Sequence, residues 1–349
     1  METSRVQAIP FADRWYPRNF RLTRLEAPYR PMQEEVLAGL KNSPKTVSPK
    51  FLYDAEGSRL FDRICELSEY YLTRTEISIL QRNAGAILER LGHNLCLIEL
   101  GAGACHKGEL LLDTGRITSF MPVDISAEYL QEVALRVAQT NPGIAVHAVA
   151  MDFLVSMGKL EPLIPQETKR LILYAGSSIG NFDLPASLRL LRQLTRLLRG
   201  GDALLIGYDL KKDATLLRRA YDDSEGITAA FNLNLLARFN RELGADFDLN
   251  MFRHLTLYDE NLGRIEMHLE SLSDQEVRVA SERVTFDRLE RIHTENSYKY
   301  TLPQFEAMAA HVGLTPVGIW KDRKSYFAVG LYEGRGAPGS AGKRRCTLR

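Results

Sequence analysis

Two glycines one residue apart, Gly101 and Gly103, close the apolar run Leu95-Cys96-Leu97-Ile98-Glu99-Leu100, and a carboxylate, Asp124, ends a second apolar run about twenty residues later. Glycine lets the backbone bend sharply and approach a ligand, and an acid at that offset can hold the hydroxyls of a ribose. The chemistry this suggests is nucleoside binding. A pyrophosphate would want a third glycine in a GxGxxG series so that a helix N-terminus could meet it, but His106 occupies that position and the next glycine is Gly108. A nucleoside without phosphates, such as S-adenosylmethionine, tolerates the change. A tight strand-to-helix turn with no ligand, in which Asp124 caps a helix, would leave the same trace.

A third acid follows the same rhythm. Asp152-Phe153 comes directly after the apolar stretch Ala145 to Ala150, where a carboxylate can accept from an adenine amine while the ring beside it packs the base. A solvent-exposed helix cap is the alternative. Cys105 lies in the glycine loop, but a nucleophilic thiol needs activation from its surroundings, and a space-filling role is expected. Cys65, Cys96 and Cys346 complete the set of four; there is no CxxC pair and no zinc signature, so no metal is expected.

These residues need a scaffold that brings them together. Leu95–Leu100, Phe120–Asp124, Ala145–Ala150, Arg170–Tyr174 and Ala203–Tyr208 read as strands, separated by helices at Lys107–Asp113, Ala127–Thr140, a segment before Lys169, and Leu184–Leu198. Strands alternating with helices make a parallel sheet, whose ligands sit outside the carboxyl ends of the strands. Gly101, Asp124, Asp152, Gly176 to Phe182 and Asp209 all fall there. Ahead of the sheet, Met32–Leu40 has helical spacing, 41–50 reads as a linker, and a turn at Phe51–Ser58 leads into a helix with Leu60, Phe61, Ile64 and Leu67 on one face. The segment Glu69–Glu76 closes that helix, and another helix from Ile77 leads to the first strand. After Asp209 the rhythm breaks: two helices within Lys212–Phe239, paired strands at Leu255–Leu257 and Arg264–Leu269, and a run at Glu276–Phe286 read as an insertion over the crevice. A helix at Leu302–Val312 and a strand at Ser325–Leu331 return to the sheet.

The bulk properties exclude several classes. With 349 residues and a net charge of +1, the chain can bury a real core but has no electrostatic pull toward nucleic acid or an anionic membrane. No apolar run is long enough to span a bilayer, and Met1–Leu22 lacks the apolar segment of a signal peptide, so a cytoplasmic protein with a small-molecule partner is expected. The Gly-, Ser-, Lys- and Arg-rich segment 334–349 reads as a disordered tail.

The blocks Phe51-Leu52-Tyr53-Asp54, Glu69-Tyr70-Tyr71-Leu72-Thr73-Arg74-Thr75-Glu76, Glu99-Leu100-Gly101-Ala102-Gly103, Ser178-Ile179-Gly180-Asn181-Phe182, Ala220-Tyr221-Asp222-Asp223, Phe231-Asn232-Leu233-Asn234, Arg241-Glu242-Leu243-Gly244-Ala245-Asp246-Phe247 and Ile265-Glu266-Met267-His268-Leu269 together resemble the histidine-specific methyltransferase family of ergothioneine biosynthesis, over about Val47 to Tyr332. The resemblance implies an α/β class I methyltransferase, Rossmann-like, with a second, substrate-binding domain. On it, 23–75 and the insertion 212–299 form the substrate-binding domain, 76–211 and 300–333 the methyltransferase domain. It implies S-adenosylmethionine as methyl donor, S-adenosylhomocysteine as product, and three methylations of the α-amino group of L-histidine, through mono- and dimethyl forms, to hercynine, by a monomer. Among the residues, it places Gly101, Gly103, Lys107, Asp124, Asp152 and Phe153 at the cofactor. It also puts Asn181 and Tyr53 at the amino and carboxylate ends of the amino acid, Tyr221 at its carboxylate, Met267, Glu295 and Ser297 at the imidazole, and Tyr70 or Tyr71 in the pocket. A methyltransferase for another amino acid or amine, and a non-catalytic binding relative, are the alternatives. One stretch departs from the family: where its loop runs through small or hydroxylic residues to Lys-Thr, this chain has Ala104-Cys105-His106-Lys107-Gly108.

The residues so placed suit methyl transfer. An in-line displacement asks the protein to align an amine lone pair with the methyl carbon. Asn181 can orient the nitrogen without trapping it as an ammonium, because an amide oxygen carries no full charge. No general base presents itself, so the proton is expected to leave to water. Tyrosine faces attract the quaternary ammonium that the last methylation creates, and Glu295 and Ser297, two apart in an extended segment, can address the two ring nitrogens. Spacing alone would fit any half-exposed strand.

Overall fold

The segment Leu95–Leu100 is buried at all six positions, which only the middle of a sheet covered on both faces allows. The computed structural model describes residues 16–25 and 31–334. In chain order these form strand β1 (Phe20–Arg24), helix α1 (Met32–Leu40), the two-residue strand β2 (Lys45–Thr46), α2 (Ala55–Glu66) and α3 (Tyr71–Glu89). The alternating part follows: β3 (Leu95–Leu100), α4 (His106–Leu112), β4 (Ile117–Asp124), α5 (Ala127–Thr140), β5 (Ala145–Ala150), α6 (Phe153–Ser156), β6 (Lys169–Tyr174), α7 (Leu184–Leu197) and β7 (Ala203–Asp209). Then come α8 (Ala214–Arg219), α9 (Ile227–Leu243), β8 (Phe252–Asp259), β9 (Arg264–Ser271), β10 (Gln275–Val279), β11 (Glu282–Phe286) and β12 (Arg291–Tyr298), and last α10 (Leu302–His311), β13 (Leu314–Lys321) and β14 (Phe327–Gly334).

The main sheet runs β1-β5-β4-β3-β6-β7-β14-β13. Strands β1 to β7 within it pair in parallel, while β14 and β13 add antiparallel. From β3 the chain proceeds outward through β4 and β5, then returns to β6 on the other side. The switch point therefore lies between the carboxyl ends of β3 and β6, where an open α/β sheet has its crevice. This is the expected doubly wound class I methyltransferase sheet.

A second sheet runs β2-β12-β9-β8, with β10-β11 as a separate hairpin, and Met267 of β9 and Glu295 and Ser297 of β12 face a cavity beside the turn after β6. β2, from the N-terminal part, pairs with β12, from the late insertion, through Lys45 and Thr46 opposite Ile292 and His293. The two segments also meet through α2 and α9. Asp54 caps α2 by accepting from the Gly57 N–H at 2.7 Å, and its carboxylate takes further bonds from Asn234 (2.8 Å) and Arg241 (2.6 Å). The rings of Tyr53, Phe61 and Phe231 pack edge-on or tilted around that joint.

Three strands were not anticipated: β1, β2 and β13. The first is a five-residue edge strand, the second has two residues, and the third contains Pro316 with a register break between Pro316 and Gly318. The expected break between Glu76 and Ile77 does not occur, because nothing in Tyr71–Glu89 stops a helix and α3 runs through. Gly334 closes β14 rather than opening a tail; the rest of that segment, with Cys346, lies outside the described residues, as do the first fifteen positions. Among the described residues no helix is long and apolar enough to cross a membrane.

Candidate active site

Gly101 and Gly103 sit at φ +68° and +49°, and a Cβ on either would meet nothing within 4 Å. Conformation, not crowding, therefore demands glycine here, and the space beside both is open. Asp124, at the end of β4, closes the loop: its Oδ2 accepts from the Gly103 N–H and its Oδ1 from the Ser126 N–H, each at 3.0 Å. A carboxylate has about four acceptor positions, so lone pairs remain on both oxygens for two ribose hydroxyls. Asp152 accepts from the Leu154 N–H at 3.1 Å, capping α6, while its Oδ2 lies 3.9 Å from the Lys50 ammonium, which also binds Glu35 at 2.6 Å. The Phe153 ring meets Tyr174 edge-on at 6.1 Å. Open glycine backbone, an acid with spare acceptor positions and a second acid beside an aromatic ring fit a nucleoside cofactor without phosphates.

Lys107 is held in an ion pair beside the glycine loop. Its ammonium lies 2.9 Å from Glu76, and the buried Glu76 carboxylate accepts twice from the Gly176 N–H, at 3.1 and 2.8 Å. Burial works against the Lys107 charge, but Glu76 outweighs it and holds the ammonium above its ordinary pKa. Lys107 and Glu76 thus brace the glycine loop against the turn after β6. Cys105 is fully buried at φ +61°, at the start of α4; burial and then Glu99 push its thiol well up, so it is inert packing.

At Gly108, where the chain departs from the family, Glu99 and Phe120 fill the space a side chain would take. A Cβ there would lie 2.4 Å from Glu99 Oε2 and about 3 Å from the Phe120 ring. Glu99 is itself buried with Oε2 unpartnered, and burial pushes its carboxyl up to about 8, so it is mostly neutral at neutral pH. The residue after Lys107 and the acid on β3 therefore share one volume. Gly108→Thr is expected to cost about 1–3 kcal/mol and to lower Tm by several degrees in a thermal melt, with partial recovery in Gly108→Thr/Glu99→Ala; an unchanged Tm would show that the space is not shared.

Across the switch point, every expected substrate residue except Tyr71 lines one cavity: Tyr53, Tyr70, Asn181, Tyr221, Met267, Glu295 and Ser297. Asn181 arrives on the turn after β6, and its Nδ2 donates to Glu295 Oε1 at 3.0 Å. The amide oxygen is the end left to face an amine. Glu295 and Ser297 project from one face of β12, opposite Met267 and Ile265 of β9, after a bulge between His293 and Glu295. Burial pushes Glu295 up to about 7, against the pull of Lys299, Asn181 and Tyr53. The Tyr53 phenol is pushed well up by burial, then by Glu295 and, more weakly, by Asp124. Tyr53 also lines an open cleft with Ile125 and Ser126, the two residues that follow Asp124.

Tyr71 turns the other way. Its hydroxyl donates to Asp209 at 2.6 Å and accepts from Lys212 at 2.7 Å, and its ring packs on Tyr326. Tyr70 is the one of the pair that lines the cavity. The Tyr221 hydroxyl, expected at a substrate carboxylate, is held between Ser297 (2.7 Å) and Lys299 (2.9 Å), at the same end as the expected ring site. Two groups the sequence reading passed over, Glu76 and Lys299, stand behind the lining residues: Glu76 holds the Gly176 N–H, and Lys299 pairs with Asp209, which was expected at a strand end without a partner. Lys299 did leave a trace, since it continues the period-two series Glu295, Ser297.

A family model described as "Histidine-specific methyltransferase, SAM-dependent" matches residues 32–334. Among curated proteins, the Histidine N-alpha-methyltransferase of Mycolicibacterium smegmatis is 41% identical over 306 residues, covering 86% of this chain and 94% of that protein. The protein of the same name from Mycobacterium tuberculosis is 38% identical over 312 residues, 88% and 96% of the two chains. Ergothioneine biosynthesis protein 1 of Schizosaccharomyces pombe, a longer protein of which 30% is covered, is 35% identical over 234 residues, 64% of this chain.

Proposed function

We propose a division of labour on one premise: the chain belongs to the S-adenosylmethionine-dependent, histidine-specific methyltransferases, by a match that spans 32–334. It methylates histidine at the expense of S-adenosylmethionine, a reaction of ergothioneine biosynthesis, and the nitrogen taken is the α-amino group. Three rounds carry L-histidine through its mono- and dimethyl forms to the betaine hercynine. The observation that carries this reading is that Tyr53, Asn181, Glu295 and Ser297 line one cavity, beside the switch point whose strand ends carry Gly101 and Asp124.

Gly101, Gly103 and Asp124 hold the donor's ribose side, with Asp152 and Phe153 at its base. When bound, the donor supplies an electrophilic methyl group on a sulfonium. Glu295 and Ser297 hold the imidazole, which turns the other end of the amino acid toward Asn181. With its Nδ2 committed to Glu295, Asn181 presents a neutral acceptor that orients the amine and leaves its lone pair free. No carboxylate stands ready to lock the amine as an ammonium, since Glu295 is spent on the ring and on Asn181, so the proton leaves to water. The rings of Tyr53 and Tyr70 provide π-faces for the nitrogen as it becomes quaternary and loses its last hydrogen-bond donor. Residues 23–75 and 212–299 make the substrate-binding domain, joined by β2 and β12, and 76–211 with 300–333 the donor-binding domain. Every group in this scheme comes from one chain, so a monomer suffices, and the free thiols Cys65, Cys96 and Cys105 suit the reducing cytoplasm.

The test is mass spectrometry of the purified protein with S-adenosylmethionine and each standard amino acid. The expected result is histidine heavier by one, two and finally three methyl groups, with the increments on the α-nitrogen by fragmentation. Methylation of a different amino acid, or cofactor binding with no turnover on any, would end the reading.

A further inference from the structure

We propose that Lys299 is a positioning residue that fixes the direction of the hydroxyl hydrogens at the ring end of the cavity, so that Ser297 can only donate and the site accepts the neutral imidazole and rejects imidazolium. This rests on the reading that Glu295 and Ser297 face the ring.

Lys299 is wholly buried, and its ammonium has three acceptors for its three hydrogens: Ser297 Oγ at 2.8 Å, the Tyr221 hydroxyl at 2.9 Å and Asp209 Oδ2 at 3.0 Å. Burial opposes the charge, but Asp209 and then Tyr221 hold it on the nitrogen. An ammonium only donates, so both hydroxyls must accept from it. The 2.7 Å contact between Tyr221 and Ser297 consumes one of their two hydrogens. The phenol is far the stronger acid of the two and is the donor in that contact. Ser297 then accepts twice, from Lys299 and from Tyr221, and both its lone pairs are filled. The one hydrogen left over is its own, and it can go only to the ligand.

A neutral imidazole matches this: its N–H goes to Glu295 and its bare nitrogen accepts from Ser297. Imidazolium has two N–H groups and would bring one of them against a hydroxyl with no acceptor left, a buried unsatisfied donor. Charge points the same way. Asp209 already has a cation in Lys212 at 2.5 Å and a hydrogen bond from Tyr71, so its neutralisation does not require Lys299. With Lys299 added, the buried cluster holds two cations against one anion. Burial lowers Lys212 to about 8, with Lys299 adding to the same direction. The remaining groups around the ammonium are phenols, Tyr258 from β8 and Tyr300 beyond β12, with Glu295 the carboxylate on its own strand. No anion other than Glu295 offsets a charged ring here.

The test is calorimetric titration of the full-length enzyme, loaded with S-adenosylhomocysteine, with L-histidine and with 1,2,4-triazolylalanine, whose ring stays neutral down to pH 5. Glu295 titrates under both ligands, so the ratio of their affinities isolates the ring proton. In the wild type the histidine-to-triazole ratio is expected to fall more than ten-fold between pH 7.5 and 5. In Lys299→Met, where Ser297 regains a lone pair, it should fall less than three-fold. A full fall in Lys299→Met, or a flat ratio in the wild type, overturns the proposal. A second measurement needs no variant: ring-15N histidine bound to the wild type at pH 6 should show one protonated and one bare nitrogen, and two protonated nitrogens would refute it. Ser297→Ala tests the underlying reading separately, since unchanged histidine affinity there would remove Ser297 from the ring whatever Lys299 does.

Discussion

Replacing Glu295 by alanine is expected to raise the histidine KM about 100-fold while leaving the affinity for S-adenosylmethionine within a factor of three. The loss is that of one charge-assisted hydrogen bond to a buried ring N–H, about 2–3 kcal/mol. Glu295→Gln keeps the shape and a neutral acceptor, and should cost about ten-fold. The same residue has an opposite effect on stability. Its folded pKa of about 7 lies above the ordinary 4.5, so between those values the folded state binds more protons than the unfolded one, and stability falls as pH rises through that window. At pH 8 the folded protein carries the whole cost of a buried carboxylate, up to about 3 kcal/mol. Glu295→Gln removes it. The variant should therefore melt a few degrees above wild type at pH 8, with the difference shrinking toward pH 5, while it loses activity. Equal KM values in wild type and Glu295→Ala would take Glu295 out of the substrate site, and a Gln variant less stable at pH 8 would contradict the burial cost.

That exchange of stability for function explains which parts of the site could be read from the sequence. The glycines and Asp124 are local: a turn at positive φ needs Gly101 and Gly103, and the strand rhythm sets where Asp124 falls. Strands β3 to β7 were legible for the same reason, being apolar runs between amphipathic helices. Glu295 and Ser297 were legible only through what the family resemblance implies, because their spacing suits any strand edge. The bracing residues were not legible. Glu76 reaches the Gly176 N–H across 100 positions of chain, and Lys299 reaches Asp209 from β12 to the end of β7. No periodicity encodes a buried ion pair between distant elements. The same limit hid β1 and β13, which earn their place by pairing with β5 and β14 rather than by their own composition.

Replacing Asp124 by alanine is expected to weaken binding of S-adenosylmethionine and S-adenosylhomocysteine about 100-fold or more in calorimetry, with the histidine KM at saturating donor changed less than three-fold. Two losses combine. The first is the pair of acceptors for the ribose hydroxyls, each a hydrogen bond to a charged group worth about 1.5–3 kcal/mol. The second is the loop itself, since the Gly103 and Ser126 N–H groups both end on this carboxylate. Asparagine separates the two contributions poorly, and that is informative. An amide has one oxygen, so it can serve one of those N–H groups and must turn its own NH2 toward the other. Asp124→Asn should accordingly bind the donor nearly as weakly as Asp124→Ala, because Asp124 accepts backbone N–H groups through both of its oxygens. Because Asp124 and Glu295 have no hydrogen-bond partner in common, the double variant Asp124→Ala/Glu295→Ala should show the two losses multiplied and no more. Donor affinity unchanged in Asp124→Ala, or a histidine KM that rises by the same factor as the donor Kd, would mean that the glycine crevice and the Glu295 cavity are not the separate donor and acceptor sites described here.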